Sequence, residues 1–199
     1  MARTKRLTGP YEQIAVDTRQ GGPVDNQQRW EFGNLDWSAF AYIKKRWKAN
    51  MGVQLLQDEP MPFYNCHGLT FASRRSSVTG DLKDIQSILF DDCFVEVKAS
   101  EVRVGDVVIY DENSDISHSG IVVGFTEGLQ SDQRFPRVWS KWGEAGPEAE
   151  HLVQSCPYIS NTTRISYFRL GVCARQAKSK FEDSMKPEKS STLQIQFRF

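Results

Sequence analysis

Apolar positions along the chain recur in two periods, first three to four residues apart and then every second residue. Trp37, Phe40, Ile43 and Trp47 fall on one side of a helical wheel while Lys44, Lys45 and Lys48 face outward, and Asn34 or Asp36 can cap that helix. Pro60 and Pro62 exclude a regular helix over residues 58–64, because each disfavours helical geometry in the residue before it. That segment is an extended approach to Asn65. From Cys66 the order Leu69, Phe71, Ala72 and then Arg74, Arg75 fits a helix with Asn65 as its N-cap, and Asp81 caps a second short helix carrying Leu82, Ile85, Ile88 and Leu89. After Cys93 come short β-branched or aromatic runs at residues 94–97, 106–110, 119–125, 137–142 and 165–171, separated by Gly, Asp, Asn and Pro. Helices followed by a run of strands predict an α+β domain with a mainly antiparallel sheet. No internal repeat is present.

The two ends read differently. Residues 1–33 are rich in Gly, Gln, Pro and charge, broken by Gly21, Gly22 and Pro23, and are expected to lie as an arm over the surface of the domain formed by residues 34–175. Residues 176–199 form a Lys- and Ser-rich linker with Pro187, ending in Leu193, Ile195, Phe197 and Phe199 alternating with Gln194, Gln196 and Arg198. That alternation suits a half-buried strand, which either closes the chain's own sheet at an edge or adds to a protein partner's sheet.

Charge and composition then narrow the classes. With 25 Lys plus Arg against 25 Asp plus Glu among 199 residues, no global field draws the chain to nucleic acid or to an anionic membrane. The longest apolar runs, residues 107–110 and 121–125, fall far short of the ~20 residues that span a bilayer. The basic start is followed by Gly9, Pro10, Glu12 and Asp17 rather than by an apolar run, so a cytoplasmic protein is expected as synthesised. The 4 cysteines have no close spacing, and without an export signal no disulfide framework is expected. Cys93, Cys156 and Cys173 read as small buried hydrophobes.

Cys66 has a more suggestive setting. A thiol attacks a carbonyl as thiolate, and a helix start offers backbone N–H groups and a dipole that favour a negative sulfur and can hold an oxyanion. A base is expected from elsewhere in the fold, and His118 opens the run of residues 118–123 just after the polar turn at 111–117. The next strand offers Ser140, on the side of Val138 and Trp142, to orient the imidazole. His67 points away from its neighbour on a helix, toward a structural role or a substrate contact, and Trp139 and Trp142 read as core and cleft wall. Gly105 and Asp106 have a structural job, a tight turn into a strand.

Three segments, Tyr64-Asn65-Cys66-His67-Gly68-Leu69-Thr70-Phe71-Ala72, Val104-Gly105-Asp106-Val107-Val108-Ile109-Tyr110 and His118-Ser119-Gly120-Ile121-Val122, resemble in this order the NlpC and CHAP families of papain-like amidases and peptidases. The resemblance runs roughly from Pro60 to Gly171. It implies a papain-like fold, Cys66 as nucleophile, His118 as general base, an orienter on the strand of Ser140, and Tyr64 shaping the oxyanion site, with Asn65, His67 and Trp142 as further substrate contacts. His67 stands where those families usually carry Ser or Ala. Their orienter is usually His, Asn, Gln or Glu, so Glu144 and His151, in the loop expected beyond Trp142, rival Ser140.

These residues point to hydrolysis of an amide bond through a Cys66 thioester, with peptidoglycan peptides or short peptides as the substrates that the resemblance implies. A leaderless enzyme of that kind needs delivery by a secretion system, a phage or lysis. Deamidation or acyl transfer on an intracellular protein uses the same site, and a catalytically silent papain-like interaction module is the alternative from another class. A zinc site from Cys66, His67, His118 and His151 is disfavoured, since adjacent ligands rarely chelate one ion and no usual zinc spacing appears. The thiol chemistry calls for no metal and no cofactor.

Overall fold

The structure is a computed structural model that describes residues 5–6, 11–29, 37–47, 52–57, 59, 61–79, 82–112, 115–128 and 133–173. Three α-helices are described, α1 (Trp37–Trp47), α2 (Cys66–Phe71) and α3 (Leu82–Asp91). Eleven strands accompany them: β1 (Lys5–Arg6), β2 (Tyr11–Gln13), β3 (Asn26–Arg29), β4 (Val53–Leu55), β5 (Ser77–Val78), β6 (Phe94–Val97), β7 (Val107–Glu112), β8 (Asp115–Glu127), β9 (Arg134–Lys141), β10 (Glu148–Leu152) and β11 (Thr163–Leu170). The architecture is α+β. The main sheet has seven strands in the order β4-β10-β9-β8-β7-β11-β6, every described pair antiparallel.

Alternation along the central strands divides the core into two layers, because successive side chains of a strand point to opposite faces. Val107 and Ile109 of β7 and Ile116 of β8 pack under Ala72 and under Ile85, Ile88 and Leu89 of α3. Val108, Tyr110, Val122 and Val138 face the other way and meet Val153, Cys156 and Tyr167. The turn into β7 is the tight one that Gly-Asp predicts: Gly105 has φ +92°, and the Asp106 carboxylate accepts from Arg103 N at 2.7 Å and from Arg169 Nε at 2.8 Å.

Two expectations are corrected here. The arm is built into the fold, since β2 and β3 form with β1 and β5 a second, four-stranded sheet, and Val16 and Val24 are buried in the α3 layer. The Asn26 side chain ties the arm together by accepting from Ile14 N and donating to the carbonyls of Ile14 and Val24. Single apolar residues scattered among polar ones carry no period, which is why the sequence pattern leaves this segment as a surface arm.

The second correction concerns cysteine. Cys93 and Cys173 form a disulfide, with Cα atoms 5.5 Å apart. Eighty positions separate them in sequence, so no spacing motif announces the pair; what joins them is β11 running antiparallel to β6, with Leu170 opposite Phe94. Gly171 N donates to Cys93 O at 2.9 Å and completes that junction.

The helices and the strands after Cys93 lie where the periodicities predict, and β4 and β10 are additional. The proposed caps Asn34, Asp36 and Asp81 and the strand predicted at residues 193–199 lie outside the described residues. Among the described residues no helix is long and apolar enough to cross a membrane.

Candidate active site

Asn65 is the N-cap of α2, as the sequence predicts. Its Oδ1 accepts from Gly68 N at 2.8 Å and from Val78 N at 3.2 Å, while its Nδ2 donates to Val78 O at 2.7 Å. One side chain therefore starts the helix and fixes it to β5. Gly68 lets the helix lie against the next turn, since a Cβ there would sit 1.9 Å from Ser76 O. Cys66, the first residue of α2, is 7% exposed. Burial pushes its thiol up to about 11, against hydrogen bonding from the Ser119, His67 and Cys66 backbone and the pull of the Lys141 charge.

His118 lies in β8, opposite Tyr110 in register, and is fully buried. Its ring stacks on Tyr158 with centroids 4.4 Å apart and an interplanar angle of 22°. Both ring nitrogens lack a hydrogen-bond partner among the described residues, and burial, with His151 and His67 nearby, holds the imidazole well below its usual range. Burial thus favours the neutral form of both thiol and imidazole. The next residue of the strand faces the helix: Ser119 Oγ donates to Thr70 Oγ1 at 3.0 Å, and Thr70 donates to Cys66 O at 2.9 Å. His67 Nδ1 shares a 2.9 Å hydrogen bond with Ser119 Oγ, so β8 grips α2 at His67 and Thr70, in the turns that follow Cys66.

The sequence assigns Ser140 to orient His118, and the structure corrects this. Ser140 Oγ is 2.8 Å from His151 Nε2 and accepts from Trp142 Nε1 at 3.2 Å. The polar group beside His118 is His151 itself, which belongs to β10 and not to a loop, opposite Val138 in register. Its Nδ1 is 2.8 Å from Leu152 O; a carbonyl only accepts, so Nδ1 carries the proton and Nε2 the lone pair. Ligating atoms of His118, His151 and Cys156 lie within 4.8 Å of one another, all three residues buried. Glu144 is turned elsewhere, with Oε1 4.0 Å from Arg29 Nε.

The residues named as substrate contacts are woven into the frame. Tyr64 is buried and gives its hydroxyl to Glu148, which also accepts from Arg74 Nε at 2.7 Å and Trp139 Nε1 at 2.8 Å. Burial raises the Glu148 carboxyl, but those donors win and leave it below its usual value. Asn65 is spent as cap and clamp and His67 on Ser119. Trp142 is buried and meets Trp47 edge to face at 5.3 Å.

Three residues escape the sequence reading. Cys156 and Tyr158 lie within electrostatic reach of Cys66, yet they precede β11 in a segment without periodicity. Lys141 is fully buried, donates from Nζ to Gly146 O at 2.6 Å and sits 5.0 Å over the Tyr64 ring; burial lowers it to about 8. A lysine between two tryptophans is the one signal that marked it. Set against protein-family models, curated proteins and solved structures, the chain matches none of them.

Proposed function

We propose that this protein is a cysteine hydrolase of the papain-like kind, akin in site plan to the NlpC and CHAP families, that cleaves an amide bond through a thioester on Cys66. The observation that carries the reading is a helix-start cysteine on a helix hydrogen-bonded to the strand that holds a buried imidazole, neither of whose ring nitrogens has a hydrogen-bond partner among the described residues. A buried imidazole left unpaired costs ~1–3 kcal/mol, and sites that give up stability in this way are commonly functional.

Because burial disfavours charge on both groups, the proton moves as the bond forms. Cys66 Sγ attacks the carbonyl carbon while His118 takes the thiol proton, and the imidazolium then gives that proton to the leaving amine. Water, deprotonated by His118, hydrolyses the thioester and restores the thiol. The backbone N–H groups whose dipoles favour the charged sulfur, those of Cys66, His67 and Ser119, are the donors from which oxyanion stabilisation is drawn. His151, whose ring is held by Leu152 O and Ser140, lies beside His118 and takes the orienting role once it turns from Ser140. Peptidoglycan peptides and short peptides are the substrates to screen first, and deamidation or acyl transfer on a protein is the variant chemistry. The Cys93–Cys173 disulfide favours a working place outside reducing cytosol, consistent with delivery after synthesis.

The test is alkylation with iodoacetamide followed by mass spectrometry across pH 5 to 9, a range bracketing the ordinary imidazole and thiol values. Cys66 is expected to be modified in the folded protein ahead of Cys156, and His118→Ala to slow it at least about tenfold. If both cysteines react only as the protein unfolds and His118→Ala changes nothing, the hydrolase reading fails and a silent interaction module takes its place, a reading that the closed site also favours.

A further inference from the structure

We propose that His118, His151 and Cys156 form a binding site for a divalent cation of the zinc type, and that filling it holds the hydrolase off. Two independent observations converge. Three borderline-soft ligands from β8, from β10 and from the segment after it bring one ligating atom each within 4.8 Å of the others, a donor set that suits Zn²⁺ and leaves its fourth tetrahedral position open. One of the three, His118, is fully buried with both ring nitrogens unpartnered among the described residues.

The surroundings fit a metal site of this kind. His151 presents Nε2 because its Nδ1–H is held by Leu152 O at 2.8 Å, the outer-shell arrangement that fixes the tautomer and orientation of a ligating imidazole. Tyr158 stacked on His118 and Tyr110 behind it at 5.5 Å wall the site with aromatic carbon. Ser140 is the competitor, since its O–H occupies His151 Nε2 and has to turn away when the metal enters. On binding, the Cys156 S–H bond breaks, an S–metal bond forms and the proton leaves to solvent, with no change of oxidation state. The inhibitory consequence alone rests on the hydrolase reading: an imidazole with a metal on one nitrogen has lost the basicity to take the Cys66 proton.

The full chain, freed of metal with a chelator, is titrated with Co²⁺, both folded and during refolding from denaturant. One equivalent is expected to bind with a thiolate-to-cobalt charge-transfer band that Zn²⁺ abolishes. The band is lost in Cys156→Ser, kept in Cys66→Ser and formed at lower Co²⁺ concentration in Ser140→Ala. X-ray absorption of the zinc-loaded wild type, which needs no variant to fold, is expected to show one sulfur at about 2.3 Å and nitrogen at about 2.0 Å. Absence of stoichiometric binding by both routes, a first shell without sulfur, or a band that survives Cys156→Ser or vanishes in Cys66→Ser overturns the site. Iodoacetamide labelling of Cys66 in metal-free protein tests the hydrolase separately. A metal that binds beside an inert Cys66 leaves the site standing and removes only its inhibitory role.

Discussion

Asn65 shows how much one side chain decides. It caps α2, fixes β5 through two hydrogen bonds and so sets where the Cys66 sulfur stands. Asn65→Ala is expected to cost about 1–3 kcal/mol, read as a lower urea midpoint with unchanged slope. Asn65→Asp keeps the acceptor and is expected to fall between. The histidines make a second prediction. Burial lowers His67 and His151 to about 4 and holds His118 well below its ordinary range, so below pH ~6.5 the unfolded chain binds protons that the folded one refuses. Stability is therefore complete above the unfolded value and falls as pH drops toward 4, by about 1.4 kcal/mol per pH unit for each proton involved. Urea midpoints between pH 7 and 4.5 check this, and His67→Gln is expected to make the fall shallower. At this scale the cap Asn65 and the helix-start position of Cys66 were legible, because a polar residue before a helical period has a short-range meaning. The partner of Ser140 was not, and His151 entered only as a rival orienter in an expected loop, because both placements depend on which strand lies beside which.

The elements carry the next predictions. Gly68 lets α2 rest on the turn that follows it, and a Cβ 1.9 Å from Ser76 O has backbone, not a flexible side chain, in its way. Gly68→Ala is expected to destabilise by several kcal/mol and to displace Cys66, seen as an altered alkylation rate under conditions where the variant remains folded. The disulfide joins the turn after α3 to the segment after β11. A closed loop of this size constrains the unfolded chain by about 4–5 kcal/mol in the chain-entropy account. A reductant is therefore expected to lower the melting temperature, and Cys93→Ser with Cys173→Ser to match the reduced protein. Helices α1, α2 and α3 and strands β6, β7, β8, β9 and β11 were legible from their periods. The short strands β2, β3, β4 and β5 were not, because two to four residues contain too little alternation to register. Strand β10 hides for another reason: Glu148, Ala149 and His151 are all buried, so the chain shows no apolar alternation where polar side chains point inward to Arg74, Tyr64 and Ser140.

For the whole molecule, the two layers of core meet at the candidate site, where β8 sends Ser119 to the helix layer and His118 to the other. Because Cys66 is buried and its thiol is pushed up to about 11, its alkylation is expected to follow local opening and to quicken in urea well below the unfolding midpoint. A rate that rises only through the global transition places the thiol in the permanent core instead. The α+β class could be read from helices followed by strands, whereas the closure of the site could not, since it follows from partners far apart in the sequence.

The bond between Cys93 and Cys173 also has a topological side. It turns the chain between them, including most of the main sheet and His118, into a covalent ring spanning 80 positions. A channel that admits a single extended strand cannot pass a ring. If the protein crosses such a channel, it crosses with both thiols reduced, and the ring closes on the far side; formed too early, the bond leaves the chain caught in transit.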